Sequence, residues 1–157
     1  MICGIDPGLS GGIAFIDTDE YSLNANRAPV LKIKKGTQNK RYIDAWKIMT
    51  LFTEFDPEHV YIEKQQAMPK QGVSSTFVTG FGYGVYLGMF IALGIPYTEV
   101  NVREWKRDFG LSSDKDESRK RASELMPRGK QFWQQKNEDG VAEAALIAYW
   151  GATKVKS

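Results

Sequence analysis

Acidic residues lie at the ends of apolar segments at three places in this chain of 157 residues. Asp6 and Glu63 each come directly after a short apolar run of the kind that forms a buried strand. Open α/β sheets bind ligands at the carboxyl ends of their strands, so these two acids would converge if their strands are neighbours. Asp139 and Glu143 begin an apolar C-terminal segment, and their spacing of four residues puts both on one face of a helix.

Four carboxylates that met at one point would raise one another's pKa values unless a cation lay among them. Oxygen ligands select Mg²⁺ or Mn²⁺, and the single His59 with the single Cys3 cannot build an ordinary zinc site. Two such ions are the usual machinery for the attack of water on a phosphodiester. The sequence therefore predicts a hydrolytic nuclease, with these four acids as catalytic residues and ligands of two Mg²⁺ ions, for which Mn²⁺ would substitute.

Each acid also has a simpler explanation when it is taken alone. A strand-end carboxylate can cap a turn or pair with a lysine, and acids at a helix N-terminus are stabilised by the helix dipole. The dipole explains Asp139 well but Glu143 less well, because Glu143 lies deeper in the helix. The coincidence of two strand-end acids with this pair favours a shared site.

The hydropathy pattern predicts the elements that would position these acids. We expect strands at 2–6 and 13–17, joined by a Gly-rich turn, an edge strand at 30–35 after a polar loop, and strands at 59–63 and 96–100. Helical spacing runs from Tyr42 to Phe55, a long helix occupies the uncharged segment, and the last helix covers about 139–150. The order βββαβαβα predicts an α/β fold in a single domain over 1–157, with a mixed five-stranded sheet and helices on both faces.

The segment from Gln71 to Thr98 contains no charged residue and is long enough to span a bilayer. Ser and Thr residues crowd its first turns, and no Lys/Arg cluster marks either flank, so we expect a buried helix of a soluble protein and no membrane partner. Small residues recur every four positions at Gly80, Gly84, Gly88 and Ala92. This stripe predicts either tight packing against the sheet or a helix–helix contact between two copies.

The composition indicates the cellular compartment of the protein but says little about its binding partners. The net charge is only +2, and 42% of residues are hydrophobic, which is enough for an ordinary core. A single cysteine excludes an internal disulfide framework and fits a reducing compartment. Because an Asp-Pro-Gly turn begins five residues after Met1, we expect no signal peptide and a cytoplasmic location.

Positive charge is concentrated between residues 102 and 136, where ten Lys/Arg face six Asp/Glu. Trp105 and Trp133 are interleaved with the basic residues. The pattern is typical of a nucleic-acid-binding surface, and the alternative is a solvated helix face.

Three motifs together resemble the RuvC family of Holliday junction resolvases, in the ribonuclease-H-like superfamily. They are Ile5-Asp6-Pro7-Gly8-Leu9-Ser10-Gly11-Gly12 with the strand after it, Tyr61-Ile62-Glu63-Lys64, and Ala142-Glu143-Ala144-Ala145-Leu146-Ile147-Ala148. The resemblance covers nearly the whole chain, with the motifs in the family's order.

The resemblance implies a ribonuclease-H-like fold and a Mg²⁺-dependent crossover junction endodeoxyribonuclease, acting in DNA recombination and repair. Such an enzyme cuts four-way junctions by paired symmetric nicks and works as a homodimer. Asp6, Glu63 and Glu143 match three of the family's catalytic acids, and Asp139 substitutes for the acid that usually stands at the position of Gly140. Basic residues that match or flank DNA-contacting positions are Lys64, Lys70, Lys106 and Lys115.

The loop after Glu63 departs from the cellular members of the family. Those members carry an aromatic residue that wedges into the junction, whereas residues 64–70 of this chain offer only Gln66 or Met68. The variant pattern resembles phage-encoded members, which implies a bacterial or phage-infected cell.

Two other functions are compatible with parts of the pattern. A branched-DNA-binding module could keep the fold without the chemistry, although all four acids are present. The Gly-rich turn after Asp6 also resembles the phosphate loop of the actin and sugar-kinase superfamily, but those enzymes need two such domains, for which 157 residues are too few.

Overall fold

The computed structural model describes residues 1–17, 19–20 and 22–155, without the side chains of Lys35 and Gln38. The strands are β1 (Ile2–Asp6), β2 (Gly12–Asp17), β3 (Ser22–Arg27), β4 (Val30–Lys35), β5 (Gln38–Ile43), β6 (His59–Glu63) and β7 (Tyr97–Val100). The helices are α1 (Ala45–Phe55), α2 (Val73–Leu93), α3 (Val102–Asp108), α4 (Lys115–Leu125) and α5 (Asp139–Val155), and two 3₁₀ helices cover Pro127–Trp133 and Lys136–Glu138.

The central sheet has five strands in the order β3-β2-β1-β6-β7. β1, β2 and β3 form an antiparallel meander, whereas β6 and β7 run parallel to β1 after helical crossovers. The predicted mixed sheet is confirmed. Because β1 and β6 are adjacent and parallel, Asp6 and Glu63 end neighbouring strands at the same edge of the sheet.

The third strand of this sheet is Ser22–Arg27, so its predicted position at Val30–Lys35 was wrong. Ser22–Arg27 contains two asparagines and buries only Ala25, which left little hydropathy signal. Val30–Lys35 is a strand, but it pairs with β5 in a separate two-stranded hairpin. The first helix therefore begins at Ala45, and Asp44 caps it by accepting a hydrogen bond from the Lys47 backbone N–H at 3.1 Å.

Helices cover both faces of the sheet, as predicted. On one face, α5 lies so close to β1 that a side chain at Gly4 would overlap the backbone of Ala144 and Ala148. On the other face, Phe52 of α1 and Phe90 of α2 pack over apolar residues of β1, β2 and β6. The acidic edge belongs to the α5 face, since Asp6 and Glu63 each follow a residue that points to the α1/α2 side.

α2 is not the buried helix that its uncharged sequence predicted. Gly82, Tyr86 and Phe90 are its buried residues, while the side chain of Phe77 is 71% exposed. A Cβ at Gly80, Gly84 or Gly88 would have no neighbour within 4 Å, so packing of this stripe against the sheet was wrong; contact between two copies stays a prediction. Among the described residues, α2 is the one helix with the length and mean hydropathy, 1.5, to cross a membrane, which is weak evidence by itself.

Candidate active site

Asp6 is the last residue of β1, and the turn that follows folds back beside its carboxylate. The Gly8 backbone N–H donates to Oδ1 of Asp6 at 3.1 Å, and the Gly11 N–H donates to the Gly8 carbonyl at 2.9 Å. A Cβ at Gly11 would overlap the backbone of Asp6, so this close return requires glycine. The Gly-rich turn thus fixes the orientation of the first acid.

The N-terminus of α5 is attached to the same turn. Gly140 pairs with Gly11 in an isolated parallel bridge, and a Cβ at Gly140 would overlap the carbonyl oxygen of Ser10. Position 140 therefore has no space for the carboxylate that the family resemblance would place there. Asp139, one residue earlier, carries the acid at this contact, and Glu143 follows one helical turn later.

Glu63 accepts a hydrogen bond from a side chain of α3. The buried indole of Trp105 donates its Nε1–H to Oε2 of Glu63 at 3.0 Å. Burial raises the pKa of Glu63, and the negative charge of Glu143 adds to this effect. The Trp105 hydrogen bond and the positive charge of Lys106 act in the opposite direction, because both stabilise the carboxylate.

Lysines contact the two acids of α5. Lys106 Nζ lies 2.8 Å from Oε1 of Glu143, and the buried hydroxyl of Ser118 donates to the same oxygen at 3.0 Å. Lys115 Nζ lies 2.6 Å from Oδ2 of Asp139. The pKa of Lys115 is raised by this hydrogen bond and by the negative charge of the surrounding acids.

The pKa of Asp6 is strongly raised. Burial raises it from 3.8 to about 7, and the charges of Glu63 and Glu143 contribute in the same direction. The Gly8 N–H and Lys115 lower it, but by less. Glu63 and Glu143 therefore influence the ionisation of Asp6, as expected of groups that lie near one another.

The donor set fits a hard divalent cation, because it consists of carboxylate oxygens alone. In the part of the chain that the structure describes, however, no three His, Cys, Asp or Glu side chains are close enough together to hold a metal ion as they stand. The ammonium groups of Lys106 and Lys115 instead supply positive charge to Glu143 and Asp139. Coordination of a metal ion by Glu143 and Asp139 would thus require these two ion pairs to break.

The four predicted DNA-contacting lysines lie in different environments. Lys106 is 16% exposed and lies inside the acidic site, whereas Lys115 is 71% exposed at its rim. Lys64 is exposed and lies 3.6 Å from Glu99, and Lys70 is exposed with a positive φ of 66°. The loop between them, residues 65–69, follows Glu63 directly and carries the exposed Met68.

The Thermus thermophilus RuvC protein, solved in complex with a Holliday junction substrate, superposes on this chain with a TM-score of 0.61 and 16% sequence identity. The superposition covers 99% of this chain and 94% of that one. The chain has the RuvC fold. The yeast mitochondrial Holliday junction resolvase shares the RuvC fold, with a TM-score of 0.54 and 15% identity over 94% of this chain and 75% of that one.

Sequence comparison adds a shorter match. No family model matches the chain. The chloroplastic Holliday junction resolvase MOC1 of Chlamydomonas reinhardtii is 32% identical over 92 residues, which are 57% of this chain and 10% of that protein. The matched region thus spans about a tenth of this relative's length. Together with the RuvC fold, this match confirms the resemblance noted in the sequence.

Three side chains at or beside the site were not predicted from the sequence. Trp105 and Ser118 hold Glu63 and Glu143, and Arg41 donates to the Leu9 carbonyl at 2.7 Å. Ser118 had a usable signal, because it lies three residues after Lys115 and so shares its helix face. Arg41 had none, since it lies on the second strand of the β4–β5 hairpin, which was not predicted and whose end, from Tyr42, was assigned to a helix.

Proposed function

We propose that this protein is a metal-dependent, structure-selective endodeoxyribonuclease that resolves Holliday junctions by paired symmetric nicks. The electrostatic arrangement around Asp6 carries the proposal: the charges of Glu63 and Glu143 act on Asp6, and Lys106 and Lys115 contact Glu143 and Asp139 of α5. The similar proteins of known structure support the choice of substrate, because one was solved with a Holliday junction substrate and the other is a Holliday junction resolvase. We further propose that it acts in the cytoplasm of a bacterial or phage-infected cell.

Asp6, Glu63, Asp139 and Glu143 would hold two Mg²⁺ ions, or Mn²⁺ in their place. When bound, such ions activate a water molecule and stabilise the leaving 3′ oxygen of a phosphodiester. Ionised Asp6 is required for this role, and its pKa of about 7 means that bound positive charge would favour ionisation at neutral pH.

The neighbouring side chains have distinct tasks in this scheme. Trp105 and Ser118 orient Glu63 and Glu143, because each donates a hydrogen bond to one carboxylate oxygen. Lys106 and Lys115 exchange their carboxylate partners for the scissile and flanking phosphates when DNA and metal enter. Lys64 and Lys70, at the ends of the exposed loop, position the DNA through its phosphates and read no sequence.

Symmetric nicks in a four-way junction require two sites, and we propose a homodimer formed through α2. The stripe of Gly80, Gly84 and Gly88 is open, which allows close approach of a second backbone. Phe77 and Ile91 on the same helix are each 71% exposed and would be covered by a partner.

The decisive experiment compares Mg²⁺-dependent cleavage of matched four-way, three-way and linear DNAs by the parent and by Asp6→Asn. Paired nicks in the four-way junction by the parent alone support the proposal. Equal cleavage of linear DNA contradicts structure selectivity. Tight binding of the junction without any cleavage, and without heat of Mg²⁺ binding in calorimetry, would instead indicate an inactive DNA-binding module of the same fold.

A further inference from the structure

The β4–β5 hairpin is the most basic exposed element outside the acidic site. Residues 30–43 contain five Lys/Arg and no Asp or Glu, in a chain whose net charge is only +2. Lys32, Lys34, Lys40 and Arg41 are all exposed. Within the described ranges, no ion pair links any of these four to a carboxylate, so their charge is directed to the solvent.

The register of the hairpin places like charges together. Lys32 lies directly opposite Arg41, and Lys34 lies opposite Asn39. Cross-strand partners and residues two apart share a face, so Lys32, Lys34 and Arg41 form one basic face. Like charges opposite each other destabilise an antiparallel pair, and a polyanion lying on this face would relieve the repulsion.

This basic face is tied to the active-site turn. Arg41 donates from Nη2 to the carbonyl of Leu9 at 2.7 Å, and Leu9 lies three residues after Asp6. A groove of about 690 Å³ runs between this turn, β5 and the first turns of α2, and Arg41 and Ser74 are among its lining residues. The hairpin and the turn that follows Asp6 therefore line one continuous groove.

From this geometry we propose that the β4–β5 hairpin binds the phosphate backbone of a duplex arm and guides it toward Asp6. The contact is electrostatic and independent of base sequence, since lysine ammonium groups on an exposed strand recognise phosphate charge. The inference rests on the proposed function for the identity of the ligand, but it assigns a binding surface distinct from Lys64, Lys70, Lys106 and Lys115.

The test measures binding of a fixed four-way junction and of a linear duplex over a range of salt concentrations, in EDTA so that cleavage plays no part. The double variant Lys32→Gln/Lys34→Gln should bind both DNAs more weakly, and the slope of log affinity against log salt should flatten by about 1.8, or about 0.9 for each lost phosphate contact. Lys32→Arg/Lys34→Arg keeps the charge and should keep the parent slope. Lys154→Gln removes an exposed charge at the far end of α5 and should also behave like the parent.

A second readout checks folding and the electrostatic argument together. Without DNA, Lys32→Gln should melt about 1 °C above the parent, because the repulsion with Arg41 is removed. A melting temperature below that of the parent would contradict the repulsion on which the basic face was argued.

Other outcomes separate this inference from the proposed function. If the glutamine variant keeps the parent slope while the parent cuts junctions, the hairpin proposal is overturned and the nuclease stands. Unchanged DNA binding with new self-association would show that the lysines only protect a sheet edge. If the glutamine variant loses binding to anionic lipid vesicles but keeps its binding to DNA, the basic face binds a membrane surface and the DNA contact is overturned.

Discussion

α5 buries thirteen of its seventeen residues against one face of the sheet, whereas α2 buries three of its twenty-one against the other. On the α5 face, glycines at positions 4, 11, 12 and 140 allow backbones to approach, and the acids are bonded to fixed partners. On the outer side of α2, a Cβ at Gly80, Gly84 or Gly88 would have no neighbour within 4 Å in the described chain, and the side chains of Phe77 and Ile91 are each 71% exposed. The α5 face is closely packed within a single chain and carries the four candidate acids, whereas α2 leaves an open surface on which we proposed a partner.

The largest expected effect lies on the α5 face. Asp6→Asn or Glu63→Gln should reduce Mg²⁺-dependent junction cleavage by roughly a thousandfold or more, because the amide keeps the shape but loses the charge of a metal ligand. Gel-shift binding of the junction should be nearly unchanged. Glu54→Gln, an exposed acid on α1, is the matched control and should cut normally. Near-normal nicking by either site variant would show that the substituted acid is not a catalytic metal ligand.

Glycine substitutions test the two faces with the same chemical change. Gly4→Ala should lower the free energy of unfolding by about 3 kcal/mol, because the new methyl group overlaps the α5 backbone. At concentrations low enough to keep the protein monomeric, Gly88→Ala should leave it unchanged or raise it by up to about 1 kcal/mol, because an exposed helical alanine has the better helix propensity. Urea unfolding of both variants measures the contrast. Equal losses at the two positions would show that the faces do not differ in packing.

The raised pKa of Asp6 predicts a stability change with a definite sign. The folded chain binds this proton more tightly than the unfolded chain between pH 3.8 and about 7, so the ionised form costs stability as the pH rises through this window. In EDTA, Asp6→Asn should be more stable than the parent by about 2 kcal/mol at pH 8, roughly half of the full shift because the side chain is partly exposed. Unfolding at pH 8 and pH 4 measures the gain, which should vanish at pH 4. A constant gain would assign it to packing instead.

The exposed glycine stripe gives the test of the α2 face. Gly84→Leu should weaken self-association by about tenfold or more in sedimentation equilibrium, because a leucine side chain separates two backbones that touch. Lys120→Leu adds the same side chain to the exposed face of α4 and serves as the control. An unchanged dimer of folded Gly84→Leu would exclude this interface, though not a dimer through another surface.

The smallest expected effect concerns the rim of the acidic site. Lys115→Ala should flatten the salt dependence of junction affinity by about one unit, as for one lost phosphate contact, and leave any base preference unchanged. Lys106→Ala should do the same and also reduce cleavage, because Lys106 is bonded to Glu143 inside the site. Salt titrations of binding in EDTA compare the two. Parent-like binding by both would show that neither lysine contacts DNA.

The sequence alone predicted four of the five strands of the sheet and singled out the four acids, because these features depend on local patterns. Apolar runs that end in Asp6 and Glu63 require strands with carboxylates at their ends, and a spacing of four on a helix requires a shared face for Asp139 and Glu143. The Gly-rich turn that joins β1 and β2 was predicted in the same way. Each of these features is encoded within about ten consecutive residues.

Tertiary structure decided what depends on contacts between distant segments. β3 has a polar sequence and becomes a strand through its pairing with β2. The β4–β5 hairpin lies outside the main sheet, although β4 shows a clear alternation of apolar and lysine residues. The exclusion of an acid from position 140 came from Ser10 and Gly11, more than a hundred residues away in the chain. The partners of Glu63 and Glu143, and the open face of α2, likewise depend on which surfaces meet, and hydropathy along a chain carries no information about that.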